Sequence, residues 1–290
     1  MRLARFVAGP ERGTGLVDPD AGTLRPVRER LADLVAGALP TPDGRTLELA
    51  GVRLRSPLAE DCRGLLCTGI NYTEHQAESA EVFVAAAPRH PIVFFKTPAA
   101  VADPGGVLEL DERMSAEFDW EVELGVVIGV GGRAIPVAEA GRHVFGYTIV
   151  NDVTARDVQR RHEQWHLGKN IDGATPVGPW IVTADEAGYP PDVDIELAVN
   201  DVPKQRAHTT DMIFSVAEQI AVISRYVALR PGDVIATGTP AGVGFTRSPA
   251  EFLRDGDVVE ARIDGIGLLR NEIRVTPAAP RAAMTQVEVA

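Results

Sequence analysis

Phe118-Asp119-Trp120-Glu121-Val122-Glu123-Leu124-Gly125-Val126-Val127-Ile128 is the stretch on which the fold turns. It alternates with period two, which predicts a strand carrying Glu121 and Glu123 on one face and Val122 and Leu124 on the other. The apolar run that follows puts this strand inside a core. Two carboxylates at the inner end of a core strand repel each other and resist leaving water unless a cation sits between them. A Glu-x-Glu pair is ordinarily a solvated face, so this pair alone does not make a site.

Similar runs recur on both sides of it. Residues 92–95, 146–150, 180–182, 195–199 and 258–263 read as short strands, punctuated by Gly and Pro. Helical spacing is convincing over 71–83 and over 215–228, where Val216, Ile220, Ile223 and Val227 recur every three or four residues. Many strands and few helices predict an α+β, predominantly β architecture, not alternating βαβ units. Residues 1–62 read as a small N-terminal domain, in which apolar runs at 3–7 and 47–54 flank a helical stretch at 28–38. Residues 63–276 read as the larger main unit. The Ala-, Pro- and Thr-containing end, 277–290, reads as a loose tail.

The 290 residues carry a net charge of −12, which disfavours a phosphate backbone as partner and argues against nucleic-acid binding. An anionic substrate remains possible if a local cation reverses the field. Cys62 and Cys67 are too few and too close for a disulfide framework. No apolar run reaches signal-peptide or membrane-span length, so the expectation is a cytoplasmic protein with no membrane partner.

Tyr147-Thr148-Ile149-Val150 reads as a second apolar strand, ending in Asn151-Asp152, with Thr154-Ala155-Arg156-Asp157 opening a short helix. Asp152 at a buried strand end offers a third oxygen ligand beside Glu121 and Glu123. Three carboxylates suit a hard ion, Mg²⁺ or Mn²⁺, rather than Zn²⁺.

These motifs, with Leu229-Arg230-Pro231-Gly232-Asp233, Thr237-Gly238-Thr239-Pro240-Ala241-Gly242-Val243-Gly244 and Gly256-Asp257-Val258-Val259-Glu260, resemble the fumarylacetoacetate hydrolase family over roughly residues 65–275. The resemblance extends to its acylpyruvate hydrolase and 2-hydroxyhepta-2,4-diene-1,7-dioate isomerase branch. It implies a mixed β-sandwich roll with a small N-terminal domain, a homodimer, and a small keto or diketo acid as substrate. By the same resemblance Glu121, Glu123 and Asp152 are metal ligands and Lys169, after Gly168, is catalytic. Gln159, Thr239 and Tyr72 are its candidate substrate contacts. Asn71-Tyr72-Thr73-Glu74-His75-Gln76-Ala77-Glu78 matches the family's His–Glu pair. His75 and Glu78 lie three apart on a helix and so face each other, and a carboxylate beside an imidazole makes it a better base.

The resulting expectation is C–C hydrolysis of an acylpyruvate-type diketo acid through a metal-bound enolate, with His75 activating water and Lys169 steadying the oxyanion. Isomerisation of an unsaturated 2-oxo dicarboxylate, or decarboxylation of oxaloacetate, is the alternative from the same site. Two readings of other classes stand beside it. One is a keto-acid binding protein without turnover. The other is a zinc peptidase, since His162-Glu163-Gln164-Trp165-His166 matches His-Glu-x-x-His. The flanking Gln-Arg-Arg and Leu-Gly-Lys are unlike a buried zinc helix, so that match is read as coincidence. It borders the candidate site, and its histidines or Trp165 are placed to touch substrate. Loops at 80–90 and 245–253 are expected to set the substrate's distal half.

Overall fold

The computed structural model describes residues 1–58, 61–80 and 88–277. The stretch singled out first forms strand Val122–Ile128, with all seven residues buried. It pairs antiparallel with Val144–Asn151 on one side and Val234–Ala236 on the other. The large sheet runs Leu47–Glu48, Thr23–Val27, Glu11–Asp18, Arg2–Ala8, Thr175–Thr183, Val144–Asn151, Val122–Ile128, Val234–Ala236, Leu65–Gly69, Ile92–Lys96. A second sheet runs Val202–His208, Asp194–Val199, Val258–Ile263, Gly267–Thr276, Val107–Asp111. The strand-rich α+β reading stands, and all five further strand runs read from the sequence are strands.

Period two explains how the central strand is buried on both faces. Leu124, Val126 and Ile128 join Leu197, Ile263 and Leu269 of the second sheet in one core. Val127 faces the other way, into a core built with Val150, Ile181 and helix residues Leu31, Leu34 and Val35. Residues 1–62 contribute the strands from Arg2–Ala8 to Arg53–Arg55 to the large sheet, and Arg2–Ala8 is hydrogen-bonded to Thr175–Thr183. A continuous sheet therefore crosses the boundary near residue 62. The tail at 278–290 lies outside the described residues.

The helices are shorter than their sequence patterns. The stretch 28–38 is helical only at Leu31–Val35, and 71–83 only at Thr73–Ser79, with 81–83 outside the described residues. Helix Val216–Tyr226 opens on a capping box. Ser215 Oγ accepts from the Glu218 N–H at 3.3 Å, and Glu218 Oε2 accepts from the Ser215 N–H at 2.8 Å. It ends before Val227, whose backbone is extended. No helix among the described residues is long and apolar enough to cross a membrane.

Close sheet packing sets one requirement at Gly146. A Cβ there would lie 2.2 Å from the carbonyl oxygen of Val182 on the neighbouring strand. Backbone cannot give way as a side chain can, so Gly146→Ala is expected to destabilise by about 2–3 kcal/mol. A shift in the urea midpoint at unchanged slope would register it.

Candidate active site

The register of two strands assembles the carboxylates. Glu123 pairs with Val150, and beyond the last pair the Asp152 N–H donates to the Glu121 carbonyl at 2.8 Å. Glu121, Glu123, Val150 and Asp152 therefore share one sheet face. Asn151 Oδ1 accepts from the Glu121 N–H at 3.0 Å and fixes the strand end. One ligand oxygen from each of Glu121, Glu123 and Asp152 lies within 4.8 Å of the others, and all three residues are buried.

Three buried cations answer this charge. Lys169 Nζ donates to Glu121 Oε2 at 2.7 Å and to Asp152 Oδ2 at 2.8 Å. Lys96 Nζ donates to Asp152 Oδ1 and, at 3.3 Å, to the Val153 carbonyl. Arg156 bridges Asp119 at 2.8 Å and Glu121 at 2.7 Å. Asp119 is fixed in turn by the N–H groups of Gly244 at 2.7 Å and Phe245 at 3.1 Å. Burial pushes the Glu121 carboxyl up, but Lys169 and Arg156 outweigh it and hold it at about 2. Lys169 is destabilised as a cation by burial, yet Asp152 and Glu121 more than offset this and raise it.

Glu123 is the exception. It accepts one N–H, from Gly238 at 3.0 Å, and no cation forms an ion pair with it among the described residues. Burial, then Asp152 and Glu121, push its carboxyl well above the ordinary range. The donor set thus fits a hard divalent ion: three carboxylate oxygens converge, and the one without a cation is the one whose charge is unfavourable. A cation there competes with the proton that burial and the two neighbouring carboxylates favour on Glu123. Mn²⁺ affinity is therefore expected to strengthen as pH rises and weaken as it falls, with proton release on binding. Calorimetry in two buffers of different ionisation enthalpy measures this directly.

Helix Thr73–Ser79 carries the candidate base, His75. His75 Nδ1 lies 2.7 Å from Glu78 Oε1. Glu78 accepts from the Gly242 N–H at 3.1 and 3.0 Å and from Thr246 Oγ1 at 3.0 Å. The Gly-rich loop after Thr237 thus braces the dyad, a role beyond turn geometry. Nε2 is the ring nitrogen that Glu78 does not engage, and the ring is buried at the edge of a narrow cleft.

That cleft brings together His75, Glu121, Glu123, Gln159, Lys169 and Thr239. Asp152 lies behind it, and Glu78 behind His75. Thr239 Oγ1 accepts from Gln205 Nε2 at 2.7 Å, which leaves its own proton to donate. Gln159 Oε1 accepts from Arg156 Nη1 at 3.0 Å, which turns its amide N–H groups toward other partners. Trp165 also lines the cleft, edge-on to Phe94 with ring centroids 5.8 Å apart. It packs where a Cβ on Gly69 would lie 2.4 Å away. Tyr72 instead lines a neighbouring pocket of about 320 Å³ with Thr73, Glu74 and Asp211. Its hydroxyl is buried without a hydrogen-bond partner among the described residues.

His162 and His166 do not share a helix. His162 is extended at the end of helix Arg156–Arg161, and His166 opens the next short helix, His166–Lys169. Replacing both with Ala is expected to leave metal stoichiometry unchanged, which metal analysis of the purified double variant would check. Lys96, Asp119 and Arg156 are the groups that sequence reasoning passed over. The available signal was a lysine ending an apolar strand run, and an arginine beside the Asp152 motif. Of the loops expected to shape the distal half, 81–87 lies outside the described residues.

Comparison with known proteins places these residues in context. The family described as Fumarylacetoacetate (FAA) hydrolase C-terminal matches residues 64–274. The oxaloacetate tautomerase YisK of Bacillus subtilis (strain 168) is 42% identical over 225 residues, covering 78% of this chain and 74% of the relative. The 2,4-didehydro-3-deoxy-L-rhamnonate hydrolase of Sphingomonas sp. (strain SKA58) is 37% identical over 279 residues, covering 94% and 96%. Among solved structures, the fumarylacetoacetate hydrolase of Exiguobacterium antarcticum superposes with TM-score 0.84 at 36% identity, covering 95% of this chain and 100% of that one. The 2-hydroxyhepta-2,4-diene-1,7-dioate isomerase of Mycobacterium marinum gives TM-score 0.79 at 34% identity, covering 95% and 98%.

Proposed function

The chain belongs to the fumarylacetoacetate hydrolase family, and from that premise we propose that it moves a proton beside the keto group of a small 2-oxo acid. The substrate class is oxaloacetate or an unsaturated 2-oxo dicarboxylate. The observation that carries this reading is the braced base in the carboxylate cleft: His75, held through Nδ1 by Glu78, lines the same narrow space as Glu121, Glu123 and Lys169.

A divalent ion, Mg²⁺ or Mn²⁺, held by Glu121, Glu123 and Asp152 would supply Lewis acidity to a 2-oxo carboxylate. The rest of the chemistry belongs to the chain. Glu78 keeps the His75 proton on Nδ1, so Nε2 presents a lone pair to the carbon next to the keto group. The proton taken there returns to oxygen in tautomerisation, or to another carbon of the conjugated unit in isomerisation. The Lys169 ammonium adds positive charge where the keto oxygen becomes negative. The Thr239 hydroxyl and Gln159 amide donate to the substrate carboxylate, and Trp165 covers one side against water.

Read from the residues and the family resemblance alone, C–C hydrolysis comes first. The tautomerase and isomerase among the relatives support proton transfer better. Hydrolysis stays as the second reading because the Sphingomonas relative, matched over nearly its whole length, is a hydrolase. The homodimer implied by the family goes with either reading. A panel of oxaloacetate, unsaturated 2-oxo dicarboxylates and acylpyruvates with saturating Mg²⁺ tests the choice. Proton transfer should show the highest kcat/KM, and acylpyruvate cleavage as the dominant reaction would overturn it.

A further inference from the structure

The N-terminal strands hold a second concave site, about 380 Å³ in volume, which has no part in the chemistry above. Every residue lining it precedes residue 64, so the site lies outside the segment matched by the family. Its lining includes Arg5, Arg12, Arg28, Arg30 and Arg55, with Glu29 as the one carboxylate among the described lining residues. In a chain of net charge −12 this is a local reversal of sign.

Strand register explains how the arginines converge. Arg5 pairs with Thr14 on one neighbouring strand and with Arg55 on the other. Arg12 and Thr14, two apart on one strand, share that sheet face. Val27 ends the next strand opposite Thr14, and the chain turns there through Arg28, Glu29 and Arg30. Like charges directly opposite across a strand pair are destabilising, yet Arg5 faces Arg55.

The commitments of these side chains differ. Arg55 pairs with Asp103 at 2.7 Å, and Arg30 with Asp33 at 2.8 Å. Arg5 donates to the Leu58 carbonyl at 3.0 Å and to the Ser56 carbonyl at 3.5 Å, which hold its guanidinium in place. The Arg12 and Arg28 side chains are exposed and make no hydrogen bond or close ion pair among the described residues, although Arg28 lies near enough to Glu29 and Asp43 to help lower both carboxyls. Guanidinium groups on a concave wall suit bidentate recognition of planar or tetrahedral oxyanions, and the volume is that of a small-molecule site. We propose that this pocket binds a small polyanion carrying two or more phosphate or carboxylate groups, with Arg12 and Arg28 as its principal contacts.

The test is calorimetric titration of the full chain with saturating Mg²⁺, using hexane-1,6-diol bisphosphate and, in parallel, tricarballylate. Chloride at matched ionic strength is the control. The wild-type chain should bind one of the two probes at one site per chain, and which one binds identifies the anion type. The exposed pair Arg12→Ala/Arg28→Ala should weaken that binding at least about tenfold, while Arg12→Lys/Arg28→Lys should weaken it less. Unchanged urea midpoints and slopes in both variants would show that they are folded. Equal affinity in wild type and the alanine variant, or no saturable binding of either probe up to about 10 mM, would overturn the proposal. Neither outcome bears on the proton-transfer reading.

Discussion

Asp152→Ala is expected to lose its bound divalent ion and at least about a thousandfold in kcat/KM, since Lewis-acid stabilisation is worth several kcal/mol. The structure adds a second consequence. Lys96 is fully buried and ion-paired with Asp152, and Lys169 gives one of its two carboxylate contacts to the same residue. Removing the carboxylate leaves the buried Lys96 ammonium without a carboxylate partner, which costs about 3–5 kcal/mol, while Lys169 keeps Glu121. The variant should therefore unfold at a lower denaturant midpoint as well as lose activity. Two further variants separate these effects. Lys96→Met added to Asp152→Ala removes the stranded charge and should recover stability but not turnover. Asp152→Asn should lose metal with a smaller stability loss. Full metal-dependent activity in Asp152→Ala would refute the assigned ligand set.

His75→Ala is expected to keep its metal and its fold while losing proton transfer by at least about a hundredfold, within the usual range for a general base. The same loss is expected for acylpyruvate cleavage if that reaction occurs, because a water nucleophile needs the same acceptor. Decarboxylation of oxaloacetate should fall less, since departing CO₂ itself leaves the electron pair behind. The ratio of variant to wild-type kcat/KM for each substrate, with metal content checked alongside, separates these cases. Equal small losses throughout would make His75 a structural residue and remove the main support for the proposed chemistry.

Much of the site was legible because its parts are local. Period-two alternation put Glu121 and Glu123 on one face, and helical spacing put His75 against Glu78. What the chain could not reveal is pairing across long separations. The register that sets Asp152 beside Glu121, the Lys96 to Asp152 contact across 56 residues, and the Asp119–Arg156–Glu121 chain all depend on which strands meet. The N-terminal strands were partly hidden for a related reason. Glu11–Asp18 contains Gly13 and Gly15, which look like loop residues. A Cβ at Gly15 would lie 2.4 Å from Leu24, so the strand tolerates glycine because a neighbouring side chain fills that space. Tyr72 is a candidate substrate contact from its motif; it lines the adjoining pocket, and burial, helped by nearby Glu123, raises its hydroxyl.

The decisive measurement is the rate at which freshly dissolved enol-oxaloacetate loses its enol absorbance, in wild type and in His75→Ala, each verified to contain metal. Proton transfer at His75 predicts a marked acceleration by the wild-type chain with Mg²⁺, abolished by EDTA and reduced at least about a hundredfold in the variant. A wild-type chain that leaves the spontaneous rate unchanged, or a metal-loaded His75→Ala chain as fast as wild type, would contradict the account.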